Sequence, residues 1–276
     1  MKFDSKLAKR FLGAFIVLGI LAHYSCKDEV EVEDSVEVES IPSISYEFST
    51  SYPHDTTAFT EGLLMHEGKL FESTGATEQF PQTKSLFGMV DLASGKISPK
   101  AQLDGAVYFG EGICHLNDKW YQLTYKSRKG FVYDANYNKI GEFQIPSLEG
   151  WGMTTDGKEL IMSDGSSKLT YLNPESLKVT KEVPVTEYGY PIEKLNELEY
   201  IDGYIYANVW MTNTVVKIEP SSGEVVGKMD LSAYAQDAGQ IYPMAQEMNG
   251  IAYNPETKKF LFTGKLWPKI YEIDLE

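Results

Sequence analysis

Cysteine and histidine are scarce in this chain, and basic residues are outnumbered. Cys26 and Cys114 are the only cysteines among 276 residues, too few for a disulfide-stapled scaffold or a cysteine-rich metal site. The four histidines, His23, His54, His66 and His115, fall at no metal-ligand spacing and read most simply as surface or strand residues. Lysine and arginine total 25 against 40 aspartates and glutamates, a formal net charge of -15. Nucleic acids and anionic membrane surfaces require basic clusters on their partners, so neither is expected here. A cationic or amine-bearing ligand suits this field better. No apolar run is long enough to span a bilayer comfortably, residues 11–22 included.

Lys2, Lys6, Lys9 and Arg10 precede that run, which gives residues 1–25 the layout of a secretory signal peptide. Ser25 stands directly before Cys26, and the junction resembles a bacterial lipoprotein signal whose cysteine is lipidated. An ordinary signal peptide with an incidental cysteine is the alternative. Residues 27–40 carry seven acids and one lysine. Such a run repels itself and lacks aromatics to pack, so 26–42 reads as a lipidated acidic tether. An exported lipoprotein is expected, periplasmic or anchored to the outer membrane and possibly facing the cell surface, touching the membrane through its lipid only. With Cys26 lipidated, Cys114 has no disulfide partner and reads as a buried structural thiol.

What the chain has in abundance is an internal repeat. Five segment openings follow one another: Phe59-Thr-Glu61-Gly62, Phe109-Gly-Glu111-Gly112, Gly150-Trp151-Gly152-Met153, Leu195-Asn196-Glu197-Leu198 and Met248-Asn249-Gly250. Each leads into a hydrophobic strand, a tight turn and a second strand. The first four turns fall at Glu67-Gly68, Asn117-Asp118, Asp156-Gly157 and Asp202-Gly203, residue types that form hairpins. Third strands are expected to end at Asp91, Asp134, Asn173, Glu219 and Asp274. A period of about 40 to 50 residues with four strands per unit predicts an all-β, five-bladed propeller over 43–276. The fifth unit runs out at Glu276 before a fourth strand. The alternating segment 44–50 is expected to complete that blade and close the ring, removing an exposed sheet edge.

In each inner hairpin, the start of the first strand and the end of the second lie at the same end. One mouth of the central channel therefore collects Glu61, Glu111, Trp151, Asn196 and Asn249, joined by Thr124, Tyr125, Asp164, Trp210 and Lys265. A concave site with a few carboxylates, a lysine, amides and aromatics is the default ligand site of such a fold.

The same residues carry a resemblance. Phe59-Thr-Glu-Gly-Leu63, Tyr108-Phe-Gly-Glu-Gly112, Gly150-Trp-Gly-Met153, Leu195-Asn-Glu-Leu-Glu-Tyr200, Ala207-Asn-Val-Trp210, Asn249-Gly-Ile-Ala-Tyr253 and Thr263-Gly-Lys-Leu-Trp-Pro268 together resemble the plant-type glutaminyl cyclases, or glutamine cyclotransferases, across residues 44–276. That resemblance implies a five-bladed propeller that cyclises the N-terminal glutamine of peptides or proteins to pyroglutamate and releases ammonia, with no cofactor and no catalytic metal; a monomer is expected. It makes Glu111 the acid/base and gives Lys265 and Asn196 the oxyanion. Glu61, Phe59, Phe109, Tyr125, Trp151, Trp210 and Asn249 become the substrate contacts. Lys265 also reads as an ion-pair partner for Glu111.

Two positions depart from the family's usual pattern, Glu61 where a glutamine is common and Tyr125 where a tryptophan is. A second carboxylate beside Glu111 raises the pKa of one of the two. The segment 76–84, with Gln79, Pro81 and Gln82, differs as well, and is expected to overhang the mouth. Two other functions share the fold. One is a propeller that binds at its mouth without chemistry. The other is a metal-dependent lactonase holding calcium on Glu61, Glu197, Asn249 and Asp164.

Overall fold

The computed structural model describes residues 40–275. The signal segment, Cys26 and nearly all of the tether lie outside those residues. Five four-stranded antiparallel sheets follow in chain order. Blade 1 comprises Thr60–His66, Lys69–Thr74, Leu86–Val90 and Ile97–Gln102. Blade 2 comprises Gly110–Leu116, Lys119–Thr124, Lys129–Tyr133 and Lys139–Gln144. Blade 3 has a shortened inner hairpin, Met153–Thr155 and Leu160–Met162, followed by Lys168–Leu172 and Val179–Pro184. Blade 4 comprises Leu195–Ile201, Tyr204–Val209, Thr214–Ile218 and Val225–Asp230. Blade 5 takes Met248–Asn254, Lys259–Gly264 and Lys269–Leu275 from the end of the domain. Its outer strand is Tyr46–Pro53, paired antiparallel with Lys269–Leu275 from Tyr46↔Leu275 to Pro53↔Lys269. The ring closes as expected, with the closing strand set a few residues later than 44–50.

Turn chemistry explains the hairpins. Glu67 and Gly68, Asn117 and Asp118, and Asp202 and Gly203 have positive φ at both positions, the backbone demanded by two-residue turns that match strand twist. Asp91, Asp134, Asn173 and Glu219 do not end third strands but stand just beyond them. Their side-chain oxygens accept backbone N–H groups two to four residues on, at Ala93, Asn136, Asn138, Glu175, Ser176, Ser221 and Ser222. Such local bonds nucleate the turn into the outer strand. Asp274 breaks the pattern, since it lies within its strand and pairs with Lys259.

The core is divided among the seams. Each of five hydrophobic clusters is shared by two neighbouring blades, for example Leu64, Phe71 and Phe87 of blade 1 with Ile113, Trp120 and Phe131 of blade 2. The others join blades 2 and 3, 3 and 4, 4 and 5, and 5 and 1. Cys114 is buried in the second seam as a free thiol, and its surroundings push the thiol pKa well up through desolvation. Between blades 4 and 5 the chain forms the helix Ser232–Ile241, which buries only Ala238. A single buried position leaves no helical period to read from sequence.

Candidate active site

Backbone irregularity aims the site residues. In blades 1, 2, 4 and 5 the inner hairpin slips register at the mouth, between Thr60 and Gly62, Gly110 and Ile113, Leu195 and Leu198, and Met248 and Ile251. The extra residues are Glu61, Glu111 with Gly112, Asn196 with Glu197, and Asn249 with Gly250. A bulge leaves its residue out of the ladder and turns its side chain away from the sheet. Blade 3 reaches the mouth through the bonds Trp151 N–H to Ser163 O, 3.1 Å, and Ser163 N–H to Gly152 O, 3.0 Å. Side chains then tie blade to blade: Ser73 Oγ donates to Glu111 O at 2.5 Å, and Ser163 Oγ donates to Asn196 O at 2.7 Å.

The mouth opens on a cavity of about 910 Å³. Glu111, Lys265, Asn196, Glu61, Phe59, Phe109, Tyr125, Trp151 and Trp210 all line it. The polar members are deeply set: Glu61 is 2 % exposed, Glu111 4 %, Lys265 7 % and Asn196 2 %. Around them the rings stand in file. Phe59 meets Phe109 at 5.9 Å, Phe109 meets Tyr125 at 5.9 Å, Tyr125 meets Trp151 at 6.4 Å and Trp151 meets Trp210 edge-on at 5.4 Å. Blade 5 completes the circle with Lys265, whose Nζ lies 4.8 Å from the centre of Phe59.

Lys265 Nζ pairs with Glu61 Oε1 at 2.9 Å. Glu61 Oε2 accepts from Asn249 Nδ2 at 3.0 Å. The ion pair is therefore with Glu61, not Glu111, because the two bulges that carry Lys265's neighbours meet at the seam of blades 5 and 1. Burial drives the Glu61 carboxyl up to about 7 in spite of Lys265. Burial, then the nearby Glu61, pushes Glu111 well above the carboxylate range. Burial disfavours the Lys265 ammonium, but Glu61 and Glu111 outweigh it and its pKa ends above the usual lysine value. Asn196 Oδ1 is buried without a hydrogen-bond partner among the described residues. An unpartnered buried amide oxygen is uncommon; it can only accept, so the donor that Asn196 can offer a ligand is its Nδ2.

Some expected contacts lie elsewhere. Asn249 is fully buried and stands behind Glu61, its Nδ2 reaching Glu61 and Thr60 O. Asp164 borders a separate depression of about 450 Å³ with Glu149 and Lys168. Thr124 is buried, its hydroxyl donated to Lys129 O. Glu197 occupies the position that is glycine in the other four blades and reaches the inner strands of blades 1 and 5, accepting from Leu63 N–H at 3.1 Å and Ile251 N–H at 2.8 Å. The four oxygens considered for calcium thus do not meet. His54 is a buried residue bonded to a carboxylate, not a surface or simple strand histidine.

The lining also includes residues that the repeat did not reveal. Ala76, Thr77 and Glu78 overhang the cavity as expected of 76–84, fixed by buried Phe80 packing on Phe59 at 6.1 Å. Gln82 points to another hollow beside Asp55. Lys126 lines the rim, 4.4 Å from the Tyr125 ring, and faces Glu149 at 3.6 Å. Glu149 in turn accepts from Trp151 Nε1 at 3.0 Å. These contacts come from loops whose chain path the turn pattern does not fix.

Comparison with known proteins bears on this geometry. The sequence model of the family described as glutamine cyclotransferase matches residues 17–275. The glutaminyl-peptide cyclotransferase of Arabidopsis thaliana is 38 % identical over 233 residues, spanning 83 % of this chain and 71 % of the relative. The crystal structure of glutaminyl cyclase from Myxococcus xanthus superposes with a TM-score of 0.76 at 33 % identity, covering 85 % of this chain and 98 % of that one.

Proposed function

Because this chain belongs to the glutamine cyclotransferase family, we propose that its mouth cavity cyclises the N-terminal glutamine of peptides or proteins to pyroglutamate, with Glu111 as acid/base and Lys265 and Asn196 as oxyanion donors. One observation carries the assignment: these three side chains share a single buried, aromatic-walled cavity. The nucleophile and the electrophile already belong to one side chain, so holding glutamine curled supplies much of the rate. Phe59, Phe109, Tyr125, Trp151 and Trp210 provide walls for that shape, and their faces attract the substrate ammonium. Glu61 adds a carboxylate on the same side, with Asn249 bracing it from behind.

The α-nitrogen attacks only after losing a proton, and the amide nitrogen leaves only after gaining one. A carboxyl with its pKa raised toward neutrality serves both transfers, because it is basic enough to accept and acidic enough to give. Burial, then the neighbouring Glu61, lifts the Glu111 carboxyl above the ordinary carboxylate range, the direction these transfers require. As the C–N bond forms, the γ-amide oxygen becomes an alkoxide-like oxyanion. Lys265 stays cationic beside it and the Asn196 amide adds a neutral donor, both fixed before the reaction begins. Collapse of that intermediate breaks the bond to the former amide nitrogen, and ammonia departs with the proton from Glu111.

Glu111→Gln keeps the shape and removes the proton carrier. Ammonia release from a glutaminyl dipeptide should fall about 10²–10⁴-fold, while binding of the dipeptide persists. Unchanged turnover would remove Glu111 from the mechanism. Binding without any turnover in the unaltered protein would favour the purely ligand-binding propeller.

A further inference from the structure

Behind the Lys265–Glu61 pair lies a second ion pair that the proposed chemistry does not use. The side chains of His54 and Glu72 are both 0 % exposed, with His54 Nε2 3.0 Å from Glu72 Oε2. His54 Nδ1 lies 2.8 Å from the backbone oxygen of Trp267. With Glu72 ionised, both ring nitrogens thus face oxygens that only accept. A neutral imidazole has one donor, so a single proton would leave a ring lone pair pressed against an oxygen. Thr263 Oγ1 stands 3.2 Å from Nδ1 and gives its own proton to Lys269 O, which does not alter that count. The geometry calls for an imidazolium. Burial disfavours that charge, but Glu72, then the Trp267 carbonyl and Asp55, overcome it and raise the His54 pKa. Glu72 and Asp55 are the charged groups that face the ring.

The pair belongs to a closed circuit that passes through the site. Glu72 Oε1 accepts from Thr60 Oγ1 at 2.7 Å. Thr60 is bonded in the chain to Glu61, and Glu61 holds Lys265. From Lys265 the chain runs two residues to Trp267, whose carbonyl returns to His54. The His54 backbone N–H also grips Pro268 O at 3.0 Å. Replacing a buried ion pair with apolar groups is commonly neutral or stabilising, so stability alone is a poor reason for this one. Its contacts fix two segments from distant parts of the chain, one carrying Glu61 and the other Lys265.

We infer that His54 and Glu72 form a positioning pair that holds Lys265 in register with Glu61 across the seam of blades 5 and 1, working with the histidine as an imidazolium. Neither residue touches the cavity. The inference rests on the cyclotransferase reading for the role of Lys265, and on bond geometry alone for the charge of His54.

Nitrogen-15 NMR of the unaltered full chain at pH 7 tests the charge. Both His54 ring nitrogens should carry protons and keep them to a pH above the ordinary histidine value of about 6.5. Steady-state kinetics of Glu72→Gln tests the role. Misplacing a donor that acts on the oxyanion should lower kcat by about ten- to a hundredfold with KM little changed. The alkaline limb of kcat should also shift to lower pH, because the imidazolium has lost its counter-charge. A neutral His54 at pH 7, or a Glu72→Gln profile that overlays the unaltered one, overturns the inference. If that variant does not fold, the NMR result on the unaltered chain decides. Absence of ammonia release by the unaltered chain would instead defeat the cyclotransferase reading, and the role of Lys265 with it.

Discussion

Two buried carboxylates and one buried ammonium leave the cavity one negative charge in excess when all three are ionised. An arriving α-ammonium balances them, which agrees with the acidity of the whole chain. Glu61 is the member that changes this count. Glu61→Gln keeps the size of the side chain while removing the like charge that helps hold Glu111 up. The acid limb of kcat/KM should therefore move to lower pH, as read from ammonia release across pH 5–9. An unmoved limb would mean that Glu61 and Glu111 titrate independently. Glu61, Glu111, Asn196 and Lys265 were legible in sequence because repeat register puts their backbones at one mouth. Register does not fix where a side chain turns. Asn249 occupies the same step as Glu61 and yet points behind it, and the partner of Lys265 depends on contact across a seam. His54 was misread because no spacing marks an ion pair formed between residues of separate elements.

Strand bulges and the close approach of neighbouring blades make the mouth, and glycine permits that approach where one backbone meets another. A Cβ on Gly152 would fall 2.0 Å from Asn196 O, and one on Gly112 would fall 2.5 Å from Trp151 O. Both clashes are with backbone, which has little room to yield. Gly152→Ala should cost about 1–3 kcal/mol in urea unfolding and displace Asn196, lowering activity in the fraction that remains folded. Full stability together with full activity would show that blades 3 and 4 separate more easily than their packing suggests. The hairpin turns were legible from Asn, Asp and Gly pairs, and the five units from their openings. The bulges were not, since each falls at the first step of its strand, where too few residues precede it for a break in the two-residue alternation to show. The helix Ser232–Ile241 escaped for a similar reason, as a single buried alanine gives no periodicity.

Across the whole ring, four carboxyls sit where burial raises them: Glu61 to about 7, Glu199 to about 8, and Glu111 and Glu197 well above the usual carboxylate range. The unfolded chain releases these protons near pH 4.5, earlier than the folded one, so stability falls as pH rises from about 4.5 to 8. His54 adds to the same trend, because the stability it contributes is complete below about 6.5 and is lost as pH passes its raised folded value. Exposed Glu142 and half-buried Glu219 are held down to about 2 by the groups that hydrogen-bond to them, so their contribution develops below pH 4.5 and is level above it. The unfolding temperature measured by calorimetry should therefore be higher at pH 5 than at pH 8. The opposite order would show that these carboxyls are better solvated than their burial implies. Blade 5 draws three strands from one end of the domain and its fourth from the other, and Lys265 rides in that blade while its partner Glu61 rides in the first. A ribosome still holding the final strand therefore carries an incomplete catalyst, and a product released short of Lys269 should liberate no ammonia at all rather than a fraction of the normal amount.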